Sequence, residues 1–505
     1  MHPSARRVPV LQKRITMSIT DTRPAEDEPV SAPPVSGGRP RSGARRGLRL
    51  YPLALRLHFY AGIFVAPFIL IAALTGALYA IAPTIEGFVS RDLLQVDTSG
   101  PAQPLSAQVG AAVATTPDLT LVAVAPAPAD GETTRVLFND PTLGDSERLS
   151  VFVDPHTAQP VGESVVYGSG GALPLRTWIS EFHRSLHLGE TGRLYSELAA
   201  SWLWVIALFG LVLWVHRVRK RRARRSAGWL LAPDLSEPKR RKLNWHGAIG
   251  VWILPVAVLL SATGITWSAY AGENVTALRE EMSWTTPAVN VKLPGAAGPA
   301  QSAGGDHHSA GHTAPAPVDA TARIAQLDTV WATARVNGID QAAEIAIPAQ
   351  PEKAFAVKEL RKSGTYSIDS VAVDGTGTVT DRLAFADWPL MAKLTNWGIA
   401  FHMGLLFGLP NQLLLLAVAL GLCALIVLGY LMWWKRRPTR ATSRFAVGTA
   451  PRRGVLRKTS LWLTVPLVAA ALLIGWFIPL IGVSLLGFLL IDLGLGLAAR
   501  ATPAA

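Results

Sequence analysis

The chain has 505 residues, of which 50% are hydrophobic and only 16% are charged, and this balance indicates a membrane protein with several crossings rather than a soluble enzyme. Its formal net charge is +13, but the basic residues cluster at the ends of apolar segments, which favours anchoring to anionic membrane lipid over nucleic-acid binding. A single cysteine, Cys423, excludes disulfides within the chain, thiolate metal sites and attachment of a cofactor through Cys-x-x-Cys-His.

The first segments set the predicted topology. Residues 1–47 are rich in Pro, Ser, Arg and acidic residues and lack periodicity, which predicts a disordered cytoplasmic tail. Arginines from Arg41 to Arg49 precede an apolar run at 53–82, so the positive-inside rule places the N-terminus in the cytoplasm and predicts a first crossing. The segments predicted after it are an outside domain at 83–182, a crossing at 183–216, a basic cytoplasmic loop at 217–243, a crossing at 244–270, a second outside domain at 271–395, a crossing at 396–434, a second basic cytoplasmic loop at 435–460 and a hairpin of two crossings at 461–499.

Both outside segments have the pattern of small α+β domains. Residues 134–138 and 149–153 alternate like strands in the first segment, and 367–377 repeats the second of these strands and its turn in the other segment. The two domains are therefore predicted to be diverged copies of one unit. A Gly-, Ala- and Pro-rich stretch with three histidines, at 294–318, is interpreted as a flexible linker rather than a metal site.

An internal repeat relates the crossings. Five positions of the first crossing return at one constant spacing in the third: His58, Gly62, Pro67, Thr75 and Gly76 recur as His246, Gly250, Pro255, Thr263 and Gly264. Nine positions at the second crossing return at a second, longer spacing at the fourth: Trp178, Phe182, His183, Leu186, Gly189, Leu194, Gly210, Trp214 and Arg217 recur as Trp397, Phe401, His402, Leu405, Gly408, Leu413, Gly429, Trp433 and Arg436. The sequence therefore predicts a mainly α, polytopic membrane protein, with a four-helix bundle of two parallel repeats and a C-terminal helical hairpin.

The repeat predicts two pairs of opposed histidines. Parallel copies are related by an axis along the membrane normal, which brings equivalent residues together across the bundle. His58 is expected to face His246 near the cytoplasmic side, and His183 to face His402 near the outside. Opposed imidazoles on facing helices indicate bis-axial ligation of b-type haem, with one haem for each pair and no need for cysteine.

One further histidine leaves the outer ligand open. A single histidine at a helix mouth is usually an interfacial polar residue, but the recurrence of four in register favours ligation. His187 lies one turn from His183 while its counterpart is Leu406, so it is a ligand, a hydrogen-bond donor beside the ligand, or a contact to the haem edge. Small residues such as Gly62 and Thr75 fit a haem site by leaving room for a flat macrocycle.

The length of the second crossing predicts a bend. An unbroken helix from His183 to Trp214 would be roughly 46 Å long, against a hydrocarbon core of about 30 Å. Either the outer haem lies at the membrane periphery, or the helices bend at 189–192 and, in the other repeat, at 408–410; the bend is favoured, because a distant outer haem would receive electrons slowly from the inner one. Asp492 lies inside the last apolar run, and a helix-packing role is favoured there over proton handling.

These motifs resemble the PepSY-associated transmembrane family over roughly residues 50–500. The resemblance is carried by residues 56–58 with 75–76, 182–189, 245–247 with 263–264, and 401–408. It implies PepSY-type outside domains and, as in inner-membrane haem proteins of this family, reduction of ferric siderophores.

The resemblance also assigns residues. It carries over His58 and His246 as inner haem ligands, and His183 or His187 with His402 as outer ligands. The chain departs from the expected pattern directly after the third-crossing histidine, where a basic residue is expected and glycine (Gly247) is found.

Three functions remain as hypotheses. The first is an enzyme of the bacterial inner membrane that passes electrons from a cytoplasmic reductase or a quinol, through two b-type haems, to ferric iron held by a siderophore or similar chelate. No Gly-x-Gly-x-x-Gly motif stands between a strand and a helix, so the donor is expected to be a separate partner. The alternatives are a non-enzymatic module whose PepSY-like domains bind a partner while the helices anchor them, and a permease for the chelate.

Overall fold

A computed structural model of the chain describes residues 50–98, 100–222, 231–233, 235, 238–295, 320–435 and 461–501. Three sequence-based predictions fall outside these residues: the tail at 1–47, the linker histidines His307, His308 and His312, and the basic loop beyond Lys435. The described part consists of a helical bundle and one antiparallel sheet. We call the end of the bundle nearer the sheet the sheet end, and the opposite end the far end.

The described residues form thirteen helices. They are α1 (Leu50–Phe64), α2 (Ala66–Val89), α3 (Arg91–Leu94), α4 (Leu105–Thr115), α5 (Pro174–Ser185), α6 (Gly189–Arg222), α7 (Arg241–Thr266), α8 (Tyr270–Glu281), α9 (Ala320–Val336), α10 (Leu390–His402), α11 (Leu409–Lys435), α12 (Leu461–Phe477) and α13 (Pro479–Ala501). Four stretches of these helices are long and apolar enough to cross a membrane: Ala66–Val89, Gly189–Lys220, Pro238–Thr266 and Leu409–Lys435. They pack as a four-helix bundle, in which α6 and α11 each contact both α2 and α7.

The last apolar run folds as two helices, α12 and α13, that meet at Ile478 just before Pro479. Their apolar parts, Thr464–Phe477 and Pro479–Gly494, are each shorter than the four spanning helices. The two helices touch through glycine, because a Cβ added at Gly482 would lie 2.5 Å from the Gly475 carbonyl oxygen. Within the described residues, the structure therefore supports four full crossings and a short, closely packed apolar hairpin.

The second and fourth crossings begin later than the sequence-based bounds of 183–216 and 396–434. Leu186, His187 and Gly189 have φ values of 54°, 56° and 59°, so the chain leaves the helical conformation after α5 and re-enters it at α6. Gly404 and Gly408, with φ values of 74° and 61°, break the chain in the same way between α10 and α11. Both crossings are therefore separated from the short helix that precedes them, and each break ends where the expected bend, at 189–192 or 408–410, begins.

The first crossing is also interrupted, at Val65 between α1 and α2. Pro67 has no N–H with which to bond the carbonyl four residues earlier, that of Ile63. The hydroxyl of Tyr430 on α11 donates to this carbonyl oxygen at 2.7 Å. A hydrogen bond between helices thus replaces the one that proline removes.

Tyr430→Phe is expected to destabilise the bundle, because it leaves the Ile63 carbonyl without its donor at a cost of about 1–3 kcal/mol. The thermal unfolding midpoint of the purified protein in detergent measures this loss. Tyr366→Phe is the control, since the Tyr366 ring lies at the sheet end and is 53% exposed. Equal midpoints for wild type and Tyr430→Phe would contradict this role.

In the part of the chain that the structure describes, eight strands form one antiparallel sheet. They are β1 (Thr120–Ala125), β2 (Thr134–Asn139), β3 (Glu147–Val153), β4 (Pro160–Tyr167), β5 (Ala343–Ala346), β6 (Phe355–Glu359), β7 (Ser370–Val373) and β8 (Val379–Leu383). Their order is β4-β3-β2-β1-β5-β6-β7-β8, so each repeat contributes four consecutive strands. The halves join where Ala123 pairs with Ala346 and Val124 with Ile345. The two segments that the sequence analysis treats as separate domains therefore share one sheet.

One core connects the two halves of the sheet. Helices α4 and α9 contact each other and pack on the same face of the sheet. Apolar side chains from both repeats meet there, and each of these is fully buried: Val109, Val124, Phe138, Leu327, Ile345 and Phe355. Apolar side chains alternate along the strands and form this face of the sheet. Because both repeats contribute to it, the two halves form one packed unit.

Candidate functional site

The first histidine pair joins α1 and α7. The ring centroids of His58 and His246 are 6.2 Å apart, with an interplanar angle of 87°. The Nδ1 atom of His58 lies 2.9 Å from the carbonyl oxygen of Ile206, and that of His246 lies 3.1 Å from the carbonyl oxygen of Leu425. Because a carbonyl oxygen only accepts, each Nδ1 carries the proton and donates it. The Nε2 atom of each ring is then left with a lone pair for a metal.

The second pair joins α5 and α10 at the sheet end. The ring centroids of His183 and His402 are 6.5 Å apart, and the interplanar angle is 53°. Nδ1 of His183 lies 2.9 Å from Oγ1 of Thr75, and Nδ1 of His402 lies 2.6 Å from Oγ1 of Thr263.

The two threonines fix the tautomer of the second pair. Each hydroxyl donates to a carbonyl oxygen of its own helix at 2.9 Å, Thr75 to Ile71 and Thr263 to Leu259. A hydroxyl has one proton, so it accepts from the imidazole, and Nδ1 again carries the hydrogen. Both pairs therefore present the same tautomer.

The contacts of the histidines repeat as the sequence does. Ile206 and Leu425, which accept from the first pair, are separated by the spacing that relates the second crossing to the fourth. Thr75 and Thr263 are separated by the spacing that relates the first crossing to the third. Two aromatic residues also follow the first-to-third spacing: Tyr79 stacks on His183 at 6.2 Å and Trp267 meets His402 edge-on at 5.5 Å. The parallel repeat therefore carries its side-chain partners with it.

Glycine allows two of the imidazoles to approach a neighbouring helix. A Cβ added at Gly210 would lie 3.0 Å from Cε1 of His58, and one at Gly76 would lie 3.1 Å from Cε1 of His183. Both positions are tighter than ordinary van der Waals contact. By contrast, a Cβ at Gly62 would meet no atom within 4 Å.

His187 does not face the second pair. Its ring lies 4.9 Å from the ring of Trp178, and its Nδ1 lies 3.5 Å from Oε2 of Glu181. His187 lies beyond the end of α5, in the left-handed conformation with a φ of 56°, so it does not continue the helical face of His183. The structure thus brings His183, and not His187, opposite His402.

Two other histidines lie away from the pairs. The ring of His216 packs at a tilt against the ring of Tyr51, with the centroids 4.3 Å apart. His156, which the sequence analysis does not assign to a site, is buried, and its Nδ1 lies 2.7 Å from the Gly100 carbonyl oxygen. Its Nε2 lies 3.2 Å from Asp130, so this histidine holds a turn beside the sheet.

The spacing of both pairs suits a metal between two imidazoles. Bonds of about 2.0–2.1 Å to each nitrogen hold the ring centres roughly 6 Å apart, which is close to the observed separations. Burial lowers the pKa of His183 to about 4 and that of His402 to about 3, on two helices outside the spanning stretches, so both rings are neutral at physiological pH. Among the described residues, no group of three or more His, Cys, Asp or Glu forms a metal cluster. The spacing of each pair therefore allows its two imidazoles to supply both axial ligands of a bis-histidine haem site.

The structure explains the glycine after His246. A Cβ at Gly247 would lie 2.2 Å from the indole ring of Trp214, which is buried. The basic side chain that the family resemblance leads one to expect at this position therefore has no room.

Asp492 forms an ion pair with Arg56. Its Oδ1 lies 2.9 Å from Nη2 of Arg56, two residues before His58. This pair ties α13 to α1, as the packing role favoured for Asp492 requires.

Sequence reasoning missed several supporting residues. The hydroxyls of Thr75 and Thr263 hydrogen-bond the histidines, whereas the sequence analysis considers only the small size of such residues. The Tyr195 hydroxyl donates to the carbonyl oxygen of His183 and holds the end of α5. The two threonines share the spacing of His58 and His246, and this is a signal that could have identified them as partners of the repeated histidines.

The fold and the paired histidines define a class of membrane protein, built from two copies of a helix, a half-sheet and a helix. The model of the PepSY-associated transmembrane region matches residues 55–436, and the chain belongs to this family. A search of curated proteins gives no match.

Proposed function

We propose that the protein is a di-haem oxidoreductase, which passes electrons across the membrane to ferric iron held by a siderophore or a similar chelate. The observation that supports this most strongly is the pair geometry: two sets of opposed imidazoles, 6.2 and 6.5 Å apart, with matching tautomers at the two ends of one bundle. The family to which the chain belongs is in keeping with this function.

The histidines would hold one b-type haem per pair through their Nε2 atoms. When bound, haem supplies reversible one-electron chemistry. The protein orients each ring through Nδ1, which donates to the carbonyl oxygens of Ile206 and Leu425 in the first pair. In the second pair the acceptors are the hydroxyls of Thr75 and Thr263. Such bonds fix the ring and raise the basicity of the ligand nitrogen.

The charge distribution supports an orientation in the bacterial inner membrane. Basic residues lie at the far end of the bundle, at the end of α6, at the start of α7 and at Lys435 on α11. The positive-inside rule then places the far end and both termini in the cytoplasm and the sheet outside. A cytoplasmic reductase or a membrane quinol would serve as the donor.

Reduction would release the iron from its carrier. One electron converts Fe(III) to Fe(II), and chelators built from hard oxygen donors hold Fe(II) weakly. The chelate itself is not cleaved, so the protein needs no general acid or nucleophile for this step.

Anaerobic mixing tests the proposed reaction. Purified protein is reduced with a limited amount of dithionite, freed from excess reductant and mixed with a ferric chelate, while the visible spectrum and capture of Fe(II) by a colorimetric chelator are followed. We expect one Fe(II) for each electron lost by the protein, and no oxidation with the matching gallium(III) chelate, which cannot be reduced. A reduced protein that stays reduced in the presence of every ferric chelate would contradict the proposal.

Thr75→Val is expected to weaken haem binding at the second pair by about 10- to 100-fold, because it removes the hydroxyl that accepts from His183. Transfer of haem to an apo-globin acceptor and a redox titration measure the affinity and the potential of each haem. Thr276→Val is the control. Within the described residues, the Thr276 hydroxyl donates only to a carbonyl oxygen of its own helix. Unchanged haem affinity and potential in Thr75→Val would show that the hydroxyl does not support a ligand.

A further inference from the structure

A cavity of about 250 Å³ lies beneath the seam between the two halves of the sheet. We call it the seam cavity and define it by Glu132, Arg135 and Gly171 of the first repeat and Glu344, Arg361 and Lys362 of the second. Gly87, near the end of α2, also lines it. The cavity is therefore built jointly by both repeats and by a spanning helix.

Three cations and two carboxylates face the seam cavity, so its lining carries more positive than negative charge. Nζ of Lys362 lies 3.5 Å from Oε2 of Glu132. The other carboxylate, Glu344, is paired at 3.5 Å with Arg148, which lies outside the lining and offsets part of its charge. The electrostatic character of the cavity suits an anion.

The two arginines of the lining are held in place by the protein. Nη1 of Arg135 donates to the carbonyl oxygen of Gly171 at 3.0 Å, and Nε of Arg361 donates to Oδ1 of Asn396 at 3.1 Å. A Cβ at Gly171 would lie 2.9 Å from Nη1 of Arg135, so glycine lets the guanidinium sit close to the backbone without displacement. Burial removes part of the hydration of Arg135 and of Lys362 and thereby lowers the pKa of both side chains.

Two helices lead from the seam cavity toward the second histidine pair. Gly87 is eight residues beyond Tyr79 on α2, or about 12 Å along the helix, and Tyr79 stacks on His183. Asn396, which holds Arg361, is six residues before His402 on α10, or about 9 Å. Both members of the pair are thus connected to the cavity through a helix.

We propose that the seam cavity binds a small anionic ferric chelate of the hydroxycarboxylate class, and that iron accepts its electron there. This inference rests on the proposed function and narrows its substrate. Guanidinium groups bind carboxylates through paired, charge-assisted hydrogen bonds. The volume of about 250 Å³ is below the range of about 300–1,000 Å³ typical for drug-sized ligands, which favours a compact chelate over a bulky one. Fe(III) gains one electron from the reduced protein and becomes Fe(II), and the carboxylates leave unchanged.

Gallium(III) citrate separates binding from reduction, because Ga(III) resembles Fe(III) in charge and size but is not reduced. Its binding to the purified full-length protein is measured by equilibrium dialysis. We expect saturable binding to wild type, and binding at least 10-fold weaker in Lys362→Glu and Lys362→Met. The second of these variants keeps an unbranched side chain and guards against misfolding. Arg382→Glu, on edge strand β8, is the matched control and should bind as wild type does.

The results of these measurements distinguish a failure of the cavity proposal from a failure of the proposed reductase activity. Absence of gallium(III) citrate binding, or equal binding by wild type and both Lys362 variants, would overturn the cavity proposal even if ferric chelates are reduced. Binding that depends on Lys362, in a protein that contains haem but never reduces iron(III) citrate, would keep the cavity as an anion site and reject its role in electron transfer.

Discussion

Purified His246→Ala is expected to contain one haem per chain where the wild type contains two. The change removes one of the two imidazoles of the first pair, and a single remaining ligand holds haem far more weakly than two. The pair formed by His183 and His402 is unaffected, so its haem stays bound. The pyridine haemochrome assay, expressed per chain, measures this change, and the double variant His246→Ala with His402→Ala should lose both haems.

Two other histidines provide the controls for this experiment. His187 contacts Trp178 and Glu181, and His216 packs against Tyr51, so alanine at either position should leave both haems in place. Loss of a haem in His187→Ala together with retention in His183→Ala would reverse the assignment of the outer ligand. Full haem content in His246→Ala would show that the first pair does not bind a haem.

Gly247→Arg is expected to prevent folding of the bundle. Even a Cβ at this position would lie 2.2 Å from the ring of Trp214, and both residues lie on packed helices that cannot move apart freely. Overpacking typically costs about 1–3 kcal/mol, so Gly247→Ala should lower the unfolding midpoint clearly, and arginine should leave little folded protein. The yield of monodisperse protein and its thermal midpoint measure both effects.

A double-mutant cycle shows whether Trp214 is the cause. In a Trp214→Leu background, the smaller side chain should remove most of the cost of Gly247→Ala. Gly487→Ala on α13 is the matched control, because its added Cβ meets no atom within 4 Å, and alanine favours a helix over glycine. An equal cost of Gly247→Ala in the wild-type and Trp214→Leu backgrounds would contradict the packing argument.

The repeat in the sequence was enough to predict which histidines meet. Two parallel copies impose an axis, and equivalent residues that face this axis are brought toward each other. The helix breaks were predictable too, because a helix from His183 to Trp214 is longer than a bilayer is thick, and glycines stand where it must end. These predictions depend on the internal repeat and on the lengths of the segments, and both can be read from the sequence.

Contacts between distant elements were not predictable in the same way. The pairing of Val124 with Ile345 joins strands that are far apart along the chain, and the edge of a half-sheet carries no local signal of its partner. The clash that excludes a basic side chain at Gly247 depends on the rotation of α6 against α7. The pair of Asp492 with Arg56 depends likewise on where the hairpin packs. Such features depend on how the elements pack in three dimensions, and neither the composition nor the spacing of the motifs determines that packing.

The visible spectrum of the wild-type protein, with a haem count per chain, tests whether the two histidine pairs hold haem. Protein purified in mild detergent, from cells supplied with haem, is recorded oxidised and after dithionite. We expect sharp b-type bands on reduction and nearly two haems per chain, one for each histidine pair. A colourless protein would contradict this expectation and would leave a membrane-anchored binding module as the better explanation of the paired domains.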